Sequence, residues 1–318
     1  MKIRITQLDG SLPNLALMRL SWFHRSEGDE IFFTRSPIPD MFEPRDYDCV
    51  YGSSIFKFSA AAQDQFMTAF PDAILGGTGF DYDNFIDEFV GPIPKYDYSI
   101  YPEFKHNVGF AMRGCRFQCK FCVVPQKEGK PKRASSISEL LVQDSDFLIL
   151  FDNDPFGNPD WRNVFDEIKG RNLRVNFSQG INIRVITDEQ AAALKSVKFR
   201  GLSGEKAQAT FAWDNPKDER KIIRGIGKCI AAGIKPWQMQ FYVLIGFQST
   251  PEEDLHRIRF LLDRGCDPYA MPYDKSDPYQ KAFVRWVNGR ICRTILWEEY
   301  SVNARRNDAQ PTPIFEGL

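Results

Sequence analysis

From residue 107 to about residue 280 the chain repeats one pattern six times: a short strand rich in β-branched and aromatic residues, a polar or glycine-rich turn, then a helix-like segment. NVGFAMRG comes first, FLILFDND precedes a helix near 161–169, and RVNFSQG precedes one over 187–195. TFAWDN precedes 217–232, MQFYVLIG precedes 252–264, and DPYAMPY closes the series. A helix between consecutive strands leaves those strands parallel, since such a crossover returns the chain to the same edge of the sheet. The fold class expected is therefore α/β, with the six strands forming a partial (β/α)6 barrel or, as the competing layout, a flat doubly wound sheet. Both layouts place a ligand site at the carboxyl ends of the strands.

Residues 1–100 alternate in the same way. MKIRITQLD reads as a strand, and 13–27 as a helix with Leu15, Met18 and Trp22 on one face and Gly28 closing it. EIFFTRS and YDCVYGSS read as strands, SAAAQDQFMTAF as a helix, and DAILGGTGF as a strand ending in a glycine-rich turn. The expected organisation is a small Rossmann-like parallel-sheet domain over 1–100, the barrel-like domain over 101–280, and closing helices with a polar, Pro-containing tail over 281–318. GPIPKYDYSIYPEF, with Pro92, Pro94 and Pro102, reads as the linker between the first two.

With 41 Lys plus Arg against 42 Asp plus Glu, the formal charge is −1, so no global field favours nucleic acid or membrane. Any such site must be local. No apolar run approaches the length of a membrane span and no signal-like apolar stretch opens the chain, so a cytoplasmic protein without membrane attachment is expected. Seven cysteines, an odd number, suit reduced thiols and a metal centre better than a disulfide framework. Cys49, Cys229, Cys266 and Cys292 lie singly among apolar neighbours and read as core.

The other three, Cys115, Cys119 and Cys122, fall within GCRFQCKFC. Three thiols in eight residues can wrap one inorganic centre from a single loop. A closed structural zinc site needs four ligands, and no second C-x2-C exists; His106, nine residues upstream of Cys115, is the one recruit close in sequence. A redox pair of Cys119 and Cys122 would leave Cys115 unexplained. A cluster held by three thiolates instead leaves one iron open, and open coordination implies chemistry.

The C-x3-C-x2-C spacing, with aromatic Phe121 just before the last cysteine and the motif directly after the first strand of a barrel-like series, resembles the radical S-adenosylmethionine (SAM) superfamily. The resemblance covers residues 107 to about 280. It implies a 4Fe-4S cluster on Cys115, Cys119 and Cys122, SAM bound to the open iron through its amino and carboxylate groups, and reductive cleavage to methionine and a 5′-deoxyadenosyl radical. It also implies a reducing partner such as flavodoxin or ferredoxin. Asp152, Asn153 and Asp154 end the second strand, where the family usually has a Gly-Gly-Glu-like turn that holds SAM's amino group. This chain departs from that turn, though its acidic and amide groups can accept from an ammonium; a plain acidic turn is the alternative.

Ser178, Gln179 and Asp214 end the third and fourth strands, where similar enzymes contact the SAM ribose or carboxylate. Arg184 would pair with that carboxylate or form a surface ion pair. Gly246 ends the fifth strand, where the backbone approaches adenine, with Thr250 capping the next helix; Met271 and Pro272 lie where the sixth strand would border adenine.

Two segments leave the reaction open. The run KEGKPKR, with Lys127, Lys130, Lys132 and Arg133, suits a phosphate-bearing or nucleic-acid substrate, while the lack of an aromatic stacking platform in the sequence around it favours a solvated loop. A Rossmann-like domain ahead of the barrel resembles cobalamin-dependent members, and GGTGF is a turn that can approach a planar cofactor. No D-x-H-x-x-G supplies a lower ligand, and a degenerate domain that covers the barrel mouth or shapes the substrate pocket is the favoured alternative. The expectation is a radical SAM enzyme acting on an unknown substrate, with a cobalamin-dependent methyltransferase and a non-catalytic metal-binding or nucleic-acid module as alternatives. Methylthiolation is disfavoured because Cys49 alone would have to supply a second cluster.

Overall fold

A computed structural model of the chain describes residues 1–81, 86–91 and 95–301; the polar tail expected beyond them lies outside the described residues. The chain divides into two compact units, Met1–Phe151 and Asp152–Leu318. Both are α/β with mainly parallel strands.

The first unit opens with β1 (Lys2–Gln7), α1 (Leu15–Ser26), β2 (Glu30–Thr34), β3 (Cys49–Ser53), α2 (Ala60–Ala69) and β4 (Ile74–Gly76). The strands form one parallel sheet in the order β2-β1-β3-β4. The order places β1 inside the sheet, so both its faces are covered: Ile3 and Ile5 are buried, and so is Arg4 between them. A buried charge needs a partner. Arg4 Nε donates to Glu43 Oε1 at 2.5 Å, the guanidinium also reaches the Ser36 carbonyl, and it lies 4.4 Å from the centroid of the Phe70 ring. Asn14 caps α1 by accepting from the N–H groups of Ala16 and Leu17, and Gly28 takes a left-handed turn just past its end.

After the short α3 (Ile86–Val90), Pro92 and Pro94 of the expected linker lie outside the described residues, and the part from 95 to 101 packs instead of crossing solvent. Tyr96, Tyr98, Ile100 and Tyr101 are buried; Tyr101 Oη donates to Gln7 at 2.8 Å, and the Val108 N–H donates to Tyr98 Oη at 3.0 Å. The prolines suggest a linker, but Tyr96, Tyr98 and Ile100 turn inward, with Tyr98–Ile100 forming a short 3-10 helix. Then come β5 (Asn107–Gly109), β6 (Met112–Arg113), α4 (Val124–Lys127), β7 (Lys132–Arg133), α5 (Ile137–Leu140) and β8 (Phe147–Leu150). β5 pairs parallel with β8, and β6 pairs antiparallel with β7 to form the base of a long hairpin.

The second unit holds α6 (Trp161–Gly170), β9 (Arg174–Phe177), α7 (Asp188–Ser196), β10 (Lys198–Phe199), β11 (Ala209–Trp213), α8 (Glu219–Ala231), β12 (Met239–Ile245), α9 (Pro251–Asp263), β13 (Asp267–Pro272) and α10 (Pro278–Asn288). The parallel sheet β11-β12-β13 runs in chain order, β9 and β10 pair in parallel, and a parallel bridge joins Ile181 to Phe211. Its core includes Phe211, Trp213, Phe241, Val243, Ile258, Leu261 and Phe283. Thr250 caps α9 through a capping box with Glu253, and Pro251 occupies the first turn, as the sequence predicts.

One buried pair ties this sheet to its helices. Asp254 and Arg257, one turn apart on α9, are fully buried and paired at 2.5 Å. Arg257 donates to the carbonyls of Trp213 at 3.0 Å and Leu244 at 2.8 Å, gripping β11 and β12 near their carboxyl ends. Asp254 accepts from Ser249 Oγ, the Gly246 N–H and Tyr279 Oη, which adds the turn after β12 and the first turn of α10. Removing one member of such a pair leaves the other charge buried and uncompensated. Asp254→Asn is expected to destabilise the protein by about 3–5 kcal/mol, measured by urea unfolding, and an apolar double replacement of Asp254 and Arg257 should recover much of the loss; a loss in the single variant within ordinary surface scatter would contradict this role.

Candidate functional site

The three clustered cysteines sit on the β6–β7 hairpin of the first unit. Gly114 leaves β6 with φ +82°, and a Cβ there would lie 2.3 Å from the Lys130 carbonyl oxygen, so only glycine lets the two arms approach. The Cys115 N–H donates to the Gly129 carbonyl at 3.0 Å, and Glu128 accepts from the Gly114 N–H at 2.8 Å and from Arg113 at 3.3 Å. These bonds close the neck of the loop. Within it the Phe117 N–H points to Cys115 Sγ at 3.5 Å, and the Cys122 N–H donates to the Cys119 carbonyl at 3.0 Å, forming a tight turn. Cys115, Cys119 and Cys122 are all half-buried, and Phe121 is exposed.

The donor set suits an iron–sulfur cluster in kind: three thiols, a backbone N–H directed at one sulfur, and a cationic setting. Residues 110–135 carry seven Lys or Arg and one carboxylate, Glu128. Positive neighbours favour thiolates over thiols. Among the described residues no three His, Cys, Asp or Glu side chains are gathered as a metal-binding group, so a cluster would draw the three sulfurs together. None of the seven cysteines is in a disulfide. Cys229 and Cys266 are core residues whose thiols burial pushes up to about 12 and about 11.

The glycine-rich turn after β4 does not offer the cradle that a planar corrinoid would need. A Cβ on Gly77 would lie 2.3 Å from the Ser54 carbonyl oxygen, and one on Gly79 would lie 2.5 Å from the backbone of Phe56. The room that these glycines create is filled by the protein's own chain, so the turn does not fit a corrinoid.

In the second unit the strand-end residues differ in what they can do. Asp152 and Asp154 are buried and Asn153 is half-buried, unlike a solvated acidic turn. Ser178 is half-buried, Gln179 is exposed, and Gln179 Nε2 donates to Ser178 Oγ at 3.3 Å. Arg184 takes the ion-pair alternative, with Nη1 at 2.7 Å from Asp218 Oδ2 and Nε donating to Asn182. Gly246 has φ +74°, but a Cβ there would meet the Gln280 side chain at 2.2 Å, so its approach is to Gln280. Met271 is exposed on β13, opposite Leu244 in register. Two depressions of about 550 and 330 Å³ lie along α9, lined by residues including Glu252 and His256, and take in none of these strand-end groups.

Asp214 is the electrostatic outlier. It follows β11, half-buried, and burial pushes its carboxyl up to about 6, against the pull of Arg184 and Arg257 and with Asp218 adding to the rise. Neither Asp254 nor Arg257 stands out in the sequence as part of this edge. Their i,i+3 spacing on a helix was the available signal, but burial at both positions could not be read from it.

No family model matches the chain, and no curated protein matches it.

The folded protein holds the Asp214 proton up to about pH 6, whereas an ordinary aspartate releases it near 3.8. The folded state therefore binds more protons between those values, and this group's contribution to stability falls as pH rises through that window. Asp214→Asn is expected to raise stability by about 2 kcal/mol at pH 8 and to leave it unchanged near pH 3. Unfolding measured in urea at both pH values checks this, and an equal effect at the two would remove the titration as its cause.

Proposed function

We propose that this chain is a radical SAM enzyme, with Cys115, Cys119 and Cys122 as the ligands of a 4Fe-4S cluster. The observation that carries the reading is the C-x3-C-x2-C loop itself, set on a hairpin whose neck Gly114 and Glu128 close and whose surroundings are cationic. Held by Cys115, Cys119 and Cys122 and reduced by an external electron donor, such a cluster would supply the electron that cleaves SAM to methionine and a 5′-deoxyadenosyl radical, which would take a hydrogen atom from the substrate. The chain's own work is to hold thiolates, orient SAM and keep out water. Lys127, half-buried beside the loop, has its pKa lowered by burial and by Arg113, and its ammonium is held by Thr78.

In this reading the resemblance gives Asp152 and Asn153 as acceptors from the ammonium of SAM, and Gln179 and Asp214 as contacts of its ribose. Asp214 suits that role in its ionised form, which prevails above about pH 6. Arg184 is committed to Asp218 and is better assigned to positioning the turn beside Asp214 than to a SAM carboxylate. The partial barrel belongs to the same proposal. It is supported by parallel β11, β12 and β13 in chain order, with helices between them, and by the Ile181–Phe211 bridge that starts the same edge.

Anaerobic reconstitution with iron and sulfide is expected to give visible cluster absorbance, and addition of dithionite and SAM to give 5′-deoxyadenosine. Cys119→Ala should lose both signals. Retained SAM cleavage in that variant would contradict the ligand assignment, and the absence of both signals in the native chain would reject the enzyme reading.

A further inference from the structure

We propose that the first unit carries a binding surface for single-stranded nucleic acid, formed where the turns after β3 and β4 meet the basic cysteine hairpin. Phe56 and Phe58 follow β3 and stack on each other, with ring centroids 4.8 Å apart and planes within 16°. Both are open to solvent, Phe56 at 39% and Phe58 at 58% exposed, and Phe80 after β4 is 49% exposed. Large apolar rings left at the carboxyl ends of parallel strands lie where open α/β sheets receive ligands.

These rings stand on stiff backbone. Asp9 accepts from the N–H groups of Ile55 and Phe56 at 2.8 and 3.0 Å, and the Gly79 N–H donates to the Ser54 carbonyl at 2.9 Å. Gly79 is pressed so closely against Phe56 that a Cβ would collide with its backbone, which fixes the loop bearing Phe80 beside the Phe56–Phe58 pair. An aromatic surface already ordered before binding loses less conformational freedom when a ligand stacks on it.

The cations arrive from the hairpin. Lys127 Nζ donates to Thr78 Oγ1, two residues before Phe80, which brings the basic run against the aromatic turn. Lys130 is exposed on the same hairpin, and Lys57, between the two phenylalanines in sequence, is exposed as well. Within 110–135 seven cations face one carboxylate, and that carboxylate, Glu128, is engaged by Arg113 and the Gly114 N–H. The chain as a whole carries a charge of −1, so this basic run is a local excess.

Aromatic faces for bases beside cations for phosphates are the two components of sequence-tolerant single-strand binding. A duplex keeps its base faces stacked inside and offers only its phosphates, so the rings select for single strands. The proposal stands apart from the cluster reading, because none of Phe56, Phe58, Phe80, Lys57, Lys127 and Lys130 is assigned to iron.

The test is fluorescence anisotropy of labelled unstructured single-stranded RNA, the matching DNA, and a duplex of the same sequence, titrated with the full chain over a salt series. At least one single strand is expected to bind about tenfold or more tightly than the duplex, with affinity falling as salt rises; which strand binds better identifies the source. Phe58→Ala and Phe80→Ala should each weaken single-strand binding about tenfold while leaving duplex binding and the circular dichroism spectrum unchanged. Lys57→Ala should reduce the salt slope. Cys119→Ala should bind as the native chain does, so loss of cluster chemistry and loss of nucleic-acid binding are read separately. The proposal is overturned by no single-strand binding at low salt, by equal affinity for the duplex, by phenylalanine variants that bind unchanged, or by anionic phosphatidylserine vesicles binding where oligonucleotides do not.

Discussion

Parallel pairing is the constraint on which the rest of this structure depends. Strands that run the same way must be joined by crossovers, so the carboxyl ends of neighbouring strands leave on one edge and their turns gather there. Those turns carry polar groups that cannot pair within the sheet, and each needs a partner from elsewhere. In the first unit Asp9 serves the turn after β3, accepting from Ile55 and Phe56, and in the second Asp254 and Arg257 serve the turns after β11 and β12. A buried carboxylate or guanidinium at such a place makes several strong bonds at once, which repays its desolvation only because nearly every lone pair and proton is used.

The cysteine hairpin solves a related problem by other means. It is the antiparallel exception among parallel strands, and a long excursion at its tip would be slack without its neck. Gly114 permits the arms to touch and Glu128 binds across them, so the segment bearing Cys115, Cys119 and Cys122 begins from a fixed base. On the same hairpin Lys127 reaches Thr78 in the glycine-rich turn after β4. The three thiols and the basic run thus share one support in the first unit.

Much of this was legible in the sequence, for identifiable reasons. Strand–helix alternation is a local signal, and the strands at RVNF, TFAW and MQFYVLI fall where the pattern places them. Thr250 and Pro251 announced α9 by their chemistry. The segment around Tyr96, Tyr98 and Tyr101 reads as a linker from its prolines, and its burial depends on contacts such as Tyr101 with Gln7, 94 residues away. Arg184 offered two partners on equal terms until the fold set Asp218 beside it. The GGTGF turn suggested a ligand, whereas the close approach its glycines allow is to the protein's own backbone.

The sequence by itself determined the α/β class, the order of its elements and the three-thiol loop, because periodicity, capping and ligand spacing act over a few residues. Only the tertiary structure decided which charges are buried in pairs, why the Asp214 carboxyl is pushed up to about 6, and that the turn bearing Phe80 meets a basic hairpin some fifty residues downstream. The physical reason is the same in each case. Desolvation and proximity are set by residues far apart in the chain, and no local pattern records which of them will meet.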